Sequence, residues 1–198
     1  MDTFSDLDDV RQTVWSTLTR ATTQRRHEWR TPVMGNTDGD YARMRTIVLR
    51  KSDTQSRSLR FYTDKRSAKW PMVKNGGTFS LLFWDSRHAL QAQMIGKPVV
   101  LDRDATDHIW SSMPVHSRSS YATKAAPGSQ LKSAKNGLPE GYFDMEPSET
   151  EYAKPHFGVF EIVVDWFEVL QLKRGGHRRA KFTWRASKER WMGEWIVP

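Results

Sequence analysis

The stretch MRTIVLRKSDTQSRSLRFYTDKRSAKW, residues 44–70, carries the most informative pattern of the sequence. Apolar clusters typical of strands alternate in it with five fixed positive charges, Arg45, Arg50, Arg60, Arg66 and Lys69. A strand pair that buries one face is an unusual place for so much charge. The stretch therefore raises the question of which anion, if any, these side chains bind.

Two interpretations of the charges are open from the residues alone. Ser67 and Lys69 follow a short strand and begin a predicted helix, where free backbone N–H groups favour an anion. Together with Arg45 they could hold a phosphate through charge-assisted hydrogen bonds. The alternative is that the charges are solvated and that Ser67 only caps a helix. Spacing and composition favour this second interpretation.

Composition limits the classes of function. The 198 residues predict a single domain over 1–198, and the net charge of +8 favours anionic partners such as nucleic acid or phosphorylated small molecules. The absence of cysteine excludes disulfides, iron–sulfur clusters and a thiol nucleophile. An acidic N-terminus and short apolar runs predict neither a signal peptide nor a membrane span, so we expect a cytoplasmic protein that does not contact membranes.

Periodicity predicts a mainly β, α+β fold. Residues 1–25 contain an amphipathic helix with Ser5 as its cap, and Asp38-Gly39 marks a hairpin between two strands. Further short strands follow, with a helix capped by Asp104 and a polar helix-and-loop insertion over 114–155. Strands outnumber helices, which indicates an antiparallel barrel with a few flanking helices.

Motifs for other chemistry are absent from the sequence. It contains no G-x-G-x-x-G, P-loop, G-x-S-x-G or H-E-x-x-H motif. Rossmann-type dinucleotide binding, P-loop NTPase chemistry, the α/β-hydrolase elbow and this type of zinc site therefore have no support.

The order of motifs in the opening stretch resembles the flavin-binding split-barrel family typified by pyridoxamine 5′-phosphate oxidase. RTIVLR (45–50), FYTD (61–64) and SAK (67–69) are similar to the family's R-x-V-L-L-K, F-Y-T-N and S-x-K. Residues 90–96, LQAQMIG, are similar to its R-Q-V-x-x-x-G strand, and FGVFEIVVDWFEVLQ and HRRAKF to its last strands. The resemblance covers roughly residues 28–198 and implies an antiparallel, Greek-key split β-barrel.

The resemblance also implies FMN as cofactor and a homodimer with the flavin in its interface. Arg45, Lys69 and Ser67 would hold the flavin phosphate, and Tyr62 and Thr63 would contact the ribityl or phosphate part. The remaining flavin contacts implied are Gln91, Lys181 and the backbone of Thr46, Ile47, Val48 and Leu49. The implied substrate-side residues are Arg50, Ser117, His177 and Arg179, with Arg118 as a further candidate anchor. Arg60 and Arg66 remain as solvated charge.

Departures from the family pattern bear on the substrate. Ile109 and Met113 stand where the oxidase has the Tyr and Arg that bind its substrate phosphate, and neither side chain can bind a phosphate. The resemblance therefore implies the oxidase-related branch, with a small molecule other than vitamin B6 phosphate as substrate or electron donor.

Three functions stay open. The first is an FMN-dependent oxidoreductase, and the second is an FMN carrier or sensor without turnover. The third, ranked below both, is a basic nucleic-acid-binding barrel, because aromatic rings among basic side chains can stack on bases.

Overall fold

The computed structural model describes residues 3–198, which form two compact units. The first unit contains the chain up to Phe61, Gly77–Pro98 and Glu161–Pro198; the second contains Tyr62–Gly76 and Val99–Phe160. That residues 1–198 act as one domain stays a prediction.

The first unit begins with helix α1 (Leu7–Thr23). The Asp6 carboxylate accepts hydrogen bonds from the amides of Asp8 and Asp9, at 2.8 and 3.0 Å. Asp6 is therefore the N-cap, and the expected cap, Ser5, was wrong by one residue. Val10, Val14 and Leu18 recur at helical spacing and are fully buried, so α1 packs through one apolar stripe.

Within residues 3–198, nine strands form one open sheet: β1 (Val33–Asp38), β2 (Tyr41–Thr46), β3 (Lys51–Asp53), β4 (Ser58–Asp64), β5 (Phe79–Asp85), β6 (Leu90–Val100), β7 (Phe157–Gln171), β8 (Arg178–Arg185) and β9 (Arg190–Ile196). Their order is β2-β1-β5-β6-β7-β4-β3, and β8 pairs with both β7 and β9. The register of β1–β2, β5–β6 and β7–β8 is antiparallel. The predicted antiparallel split-barrel class is confirmed.

Residues 47–50, between β2 and β3, lie inside the opening stretch and connect two parts of the sheet. The Ile47 and Leu49 amides donate to the carbonyls of Pro32 and Arg30, at 3.1 and 2.8 Å. The next amide, that of Arg50, donates to the Arg60 carbonyl of β4 at 2.9 Å. The chain therefore changes its hydrogen-bonding partner within four residues. Burial of the Ile47 and Leu49 side chains fixes this change.

The second unit surrounds an aromatic core. It contains α2 (Trp70–Lys74), α3 (Arg103–Ser111), α4 (Val115–Arg118) and 3₁₀ turns at Ser119–Tyr121, Tyr142–Asp144 and Pro147–His156. Tyr121 and Phe157 meet edge-on, with ring centroids 4.9 Å apart. Asp102, rather than the expected Asp104, caps α3 by accepting the Ala105 amide at 2.7 Å.

Arg118 is part of this core and is only 2% exposed. Its guanidinium donates to the carbonyls of Met113, Trp110 and Pro147 and also bonds to Thr150 and Glu151. The expectation that Arg118 anchors a substrate was wrong, because its donors already hold the insertion together.

Two further findings concern the described part of the chain. Its helices include none that combines the length and the apolar character needed to cross a bilayer. Residues 3–198 also contain no group of three His, Asp or Glu side chains arranged to hold a metal ion.

Candidate functional site

The hydroxyls of Thr63 and Ser67 and the ammonium of Lys69 come together just after β4, in the second unit. The two hydroxyl oxygens are 3.3 Å apart, and Lys69 Nζ donates to Ser67 Oγ at 3.2 Å. Thr63 and Ser67 are 3% and 8% exposed, so water competes little for their hydroxyls. One cation and two hydroxyls in this arrangement suit the oxygens of a phosphate.

Asp64 and Arg66 fix the turn that carries this cluster. The carboxylate of Asp64 accepts the Arg66 amide at 2.7 Å and its guanidinium at 2.7 Å. Arg66 also donates to the Thr123 carbonyl at 2.9 Å. Donation of these hydrogen bonds to the Asp64 carboxylate raises the pKa of Arg66 above its ordinary value. Arg66 is thus a structural residue, and its interpretation as solvated charge was wrong.

This pair also bears on the electrostatics of the cluster. Asp64 is nearly buried and would repel an anion close to Ser67 if its charge were uncompensated. Arg66 compensates this charge through its ion pair with Asp64 at 2.7 Å, which reduces the repulsion.

Helix α2 contributes less to binding an anion than the sequence predicts. Helix α2 begins at Trp70 and has five residues, and Lys69 stands at the N-cap position without a side-chain cap bond. Ser67 is therefore not the cap, and the dipole of so short a helix adds little. Binding of an anion here would depend on side chains.

Arg45 is half-buried on β2, in the first unit. Its guanidinium donates to the neutral amide oxygen of Asn36, and no carboxylate of residues 3–198 forms an ion pair with it. Burial, followed by the nearby charge of Arg43, lowers the pKa of Arg45. A desolvated guanidinium without a carboxylate partner favours an anionic ligand.

The sheet register places Gln91 and Arg45 on opposite faces. Gln91 on β6 is opposite Trp84 of β5, on the face that also carries Leu82. Arg45 is opposite the buried Met34 of β1. The strand pairing therefore separates two side chains that the resemblance assigns to one flavin.

The late basic segment lines a cavity of about 550 Å³ with N-terminal and C-terminal residues, in the first unit. Arg179 is held by Glu168 at 2.8 Å, and Lys181 by Glu194 at 3.3 Å. His177 Nδ1 accepts the Lys173 amide at 3.1 Å. The structure thus brings His177 and Arg179 to one cavity, but it gives Arg179 and Lys181 internal carboxylate partners.

The other predicted residues are placed as follows. Tyr62 meets Phe157 edge-on at 5.2 Å, in the second unit. Ser117 is exposed on α4, and Arg50 is exposed beyond the end of β2. Arg60 pairs with Glu161 at 2.7 Å, so its interpretation as solvated charge was also wrong.

Sequence reasoning missed the Asp64–Arg66 pair. The D-x-R spacing in TDKRS was visible, but an acid and a base two residues apart face each other only in a turn. The turn itself was hidden by the expectation that a helix begins there.

Comparison with known proteins rests on structure. No protein-family model and no curated protein sequence matches the chain. A pyridoxamine 5′-phosphate oxidase-related, FMN-binding protein from Nostoc punctiforme superposes with a TM-score of 0.75 at 19% identity, over 98% of this chain and 100% of that one. PhzG from Burkholderia lata, in complex with tetrahydrophenazine-1-carboxylic acid, gives a TM-score of 0.73 at 18% identity, over 100% of this chain and 98% of that one.

The chain has the split-barrel fold of these proteins. A general stress FMN/FAD binding protein from Xanthomonas citri also superposes, with a TM-score of 0.53 at 14% identity over 84% of this chain and 91% of that one. Identities this low establish the fold, and the expected relation to pyridoxamine 5′-phosphate oxidase-like folds is confirmed at that level. Function has to be argued from the site.

Proposed function

We propose that the protein binds FMN and acts as an FMN-dependent oxidoreductase. The observation that carries the proposal is the cluster of Thr63, Ser67 and Lys69 at the end of β4. It occurs in a fold shared with proteins named as FMN-binding.

The phosphate end of FMN would be held by Lys69 and Ser67 of the second unit, and Arg45 of the first unit stays a separate predicted phosphate ligand. The residues fit this group. Lys69 and Arg45 each supply a positive charge, and Ser67 supplies a buried hydroxyl. Charge-assisted hydrogen bonds to a phosphate dianion are about twice as strong as neutral ones, so these groups would dominate the affinity.

The backbone after β2 would contact the edge of the ring system. The Ile47 and Leu49 amides point towards residues 30–32, where they are hydrogen-bonded. In an extended chain the intervening amide, that of Val48, points to the opposite edge. Thr46 and Val48 are therefore the proposed backbone contacts, and the Gln91 amide would add a hydrogen bond from the exposed face of β6.

A homodimer would complete the site. Gln91 and Arg45 face opposite sides of one sheet, so a flavin at an interface could meet such groups from two copies. Met44 and Trp84 leave apolar surface on the Gln91 face, 73% and 44% exposed. Covering that surface with a second copy would stabilise the assembly.

The chemistry would come from FMN, which accepts a hydride or electrons when bound. The chain would orient the flavin and shape the substrate side through Arg50, Ser117, His177 and Arg179. Ile109 and Met113 are partly buried against the aromatic core of the second unit. This supports a substrate without a phosphate group at that position.

An FMN carrier without turnover is the second candidate. The internal pairing of Arg179 with Glu168 favours it, because a neutralised guanidinium anchors a charged substrate weakly. Anaerobic reduction by NADPH or other donors, followed by reoxidation in air, distinguishes the oxidoreductase from the carrier. Reduction by none of the donors supports the carrier.

Titration of the apoprotein with FMN, followed by flavin fluorescence, tests the cofactor proposal. Lys69→Met and Arg45→Met should each weaken FMN binding about tenfold or more, the effect of one charge-assisted hydrogen bond. Lys74→Met on the exposed side of α2 is the matched control and should leave the affinity unchanged. A purified protein that is colourless and does not respond to added FMN contradicts the proposal.

A further inference from the structure

The second unit contains a cavity of about 540 Å³ that the proposed flavin site does not use. The end of β6, the start of α3 and the 3₁₀ turn before β7 form its walls. Apolar side chains supply much of the lining, among them Trp70, Val100, Leu101 and Val159. Its size and mixed lining are those of a small-molecule site.

The ring of Trp70 packs against the backbone of a glycine, which leaves room for it. A Cβ atom on Gly158 of β7 would lie 2.9 Å from the Trp70 ring and 3.0 Å from Cγ of Lys65. The indole and the aliphatic part of Lys65 therefore lie directly against the backbone of Gly158. The Lys65 amide donates to the His156 carbonyl at 2.7 Å, which fixes the start of this wall.

The carboxylates around the cavity are already engaged. Asp107 pairs with Lys154 at 3.2 Å and with Arg103 at 3.7 Å. Glu151 accepts the Trp110 indole N–H at 3.0 Å and Arg118 at 2.8 Å. The third acid, Asp102, caps α3.

Lys65 differs from the other cations of the cavity. Within residues 3–198 no carboxylate forms an ion pair with its ammonium, which lies over the Trp70 ring, 6.0 Å from the centroid. That distance is the outer limit of a cation–π interaction. A half-buried ammonium beside an aromatic wall can therefore gain a stronger partner from a ligand.

We propose that this cavity binds a planar aromatic carboxylate, whose ring packs against Trp70 and whose carboxylate pairs with Lys65. The single available cation selects one negative charge, and the fixed indole selects a flat apolar ring. The lining of the cavity includes none of the proposed FMN ligands.

Calorimetric titration with 2-naphthoate tests the site, with the neutral isostere 2-naphthamide as a second probe. Naphthoate should bind at least about tenfold more tightly than the amide, because only the anion gains the charge-assisted bond. Lys65→Met should remove that preference, and Lys74→Met, on the exposed side of α2, should retain it. Trp70→Leu should weaken both probes, with a thermal melt to verify that the variant is folded.

The outcomes are distinct. Naphthoate binding that persists in saturating FMN and is lost in Lys65→Met supports the proposal. Equal binding of both probes, no binding of either, unchanged binding in Lys65→Met, or displacement by FMN overturns it. The Lys69→Met variant should bind naphthoate normally, so failure of this site and failure of the flavin site are separately visible.

Discussion

His27 is a single residue whose protonation is coupled to local structure. Its Nδ1 accepts the Trp29 amide at 3.1 Å and so caps the 3₁₀ turn Glu28–Arg30. Burial, followed by the charge of Arg20, lowers its pKa from the ordinary 6.5. His27 lines a surface cavity together with these charged or titratable groups: Arg20, Arg26, Glu28, Asp85, Arg87 and His88.

The sign of the pH effect follows from this shift. Because the folded-state pKa is the lower one, the unfolded chain binds more protons between the two values. The contribution of neutral His27 to the free energy of unfolding is therefore complete above pH 6.5, and it is lost as the pH falls towards the folded-state pKa. Protonation of Nδ1 also removes the acceptor for the Trp29 amide.

His27→Asn should flatten the pH dependence of the free energy of unfolding in this window. The Asn side-chain oxygen can still cap the turn, so stability at neutral pH should change little. Urea unfolding at a series of pH values from 7.5 to about 5 measures the effect. His108→Asn on the exposed face of α3 is the control. Equal slopes in wild type and His27→Asn would show that His27 does not carry the effect.

At the scale of elements, Gly96 shows how a strand of the first unit depends on one missing side chain. A Cβ atom there would lie 2.2 Å from the Val163 carbonyl oxygen and 2.8 Å from the Ile162 side chain, both on β7. The nearest obstacle is backbone, which cannot rotate away. Gly96 therefore permits the close approach of β6 and β7.

Gly96→Ala should destabilise the protein by about 3 kcal/mol, the upper range for overpacking a well-packed core. Gly35→Ala on β1 is the matched control, because its Cβ would meet Met44 Cγ at 3.8 Å and the Ser80 carbonyl oxygen at 3.9 Å, both ordinary contacts. That variant should stay within about 0.5 kcal/mol of wild type. Chemical denaturation of both proteins measures the difference. Similar stabilities for the two variants would refute this account of the β6–β7 packing.

Strands could be predicted from the sequence where a turn motif or an alternation of polar and apolar residues marks them locally. The Asp38-Gly39 hairpin is present between β1 and β2, with Gly39 at φ +59°, and β6 alternates in burial as its sequence indicates. Helix caps were displaced by one or two residues, because several acids in a row compete for the same amides. The insertion over 114–155 could not be predicted in detail, since Arg118 organises it through contacts with residues about 30 positions away.

In the candidate site, too, contacts between residues close in sequence were predictable and those between distant residues were not. Thr63, Ser67 and Lys69 are close in sequence and close in space, so the motif was enough to find them. The opposite orientation of Gln91 and Arg45 depends on the register of four strands, which the sequence does not specify. Whether these residues meet one flavin remains a proposal.

At the scale of the whole molecule, one face of the first unit's sheet exposes several apolar side chains to solvent. Met44 is opposite Gly35, and Leu82 is opposite Val33, so the two side chains share the face that carries Gln91. Met44 is 73% and Leu82 39% exposed. Apolar side chains gathered on one sheet face mark an interaction surface more often than an isolated one does.

Leu82→Glu should convert the proposed homodimer into monomers. Two copies of the substituted face would bring unpaired carboxylates into a desolvated contact, which costs several kcal/mol. Light scattering coupled to gel filtration should give twice the 23.0 kDa chain mass for wild type and the chain mass for the variant. Leu131→Glu, at a similarly exposed leucine in the second unit, should remain dimeric. A monomeric wild type, or a dimeric Leu82→Glu protein, would mean that this face does not join two copies and that the flavin contacts have to be found within one chain.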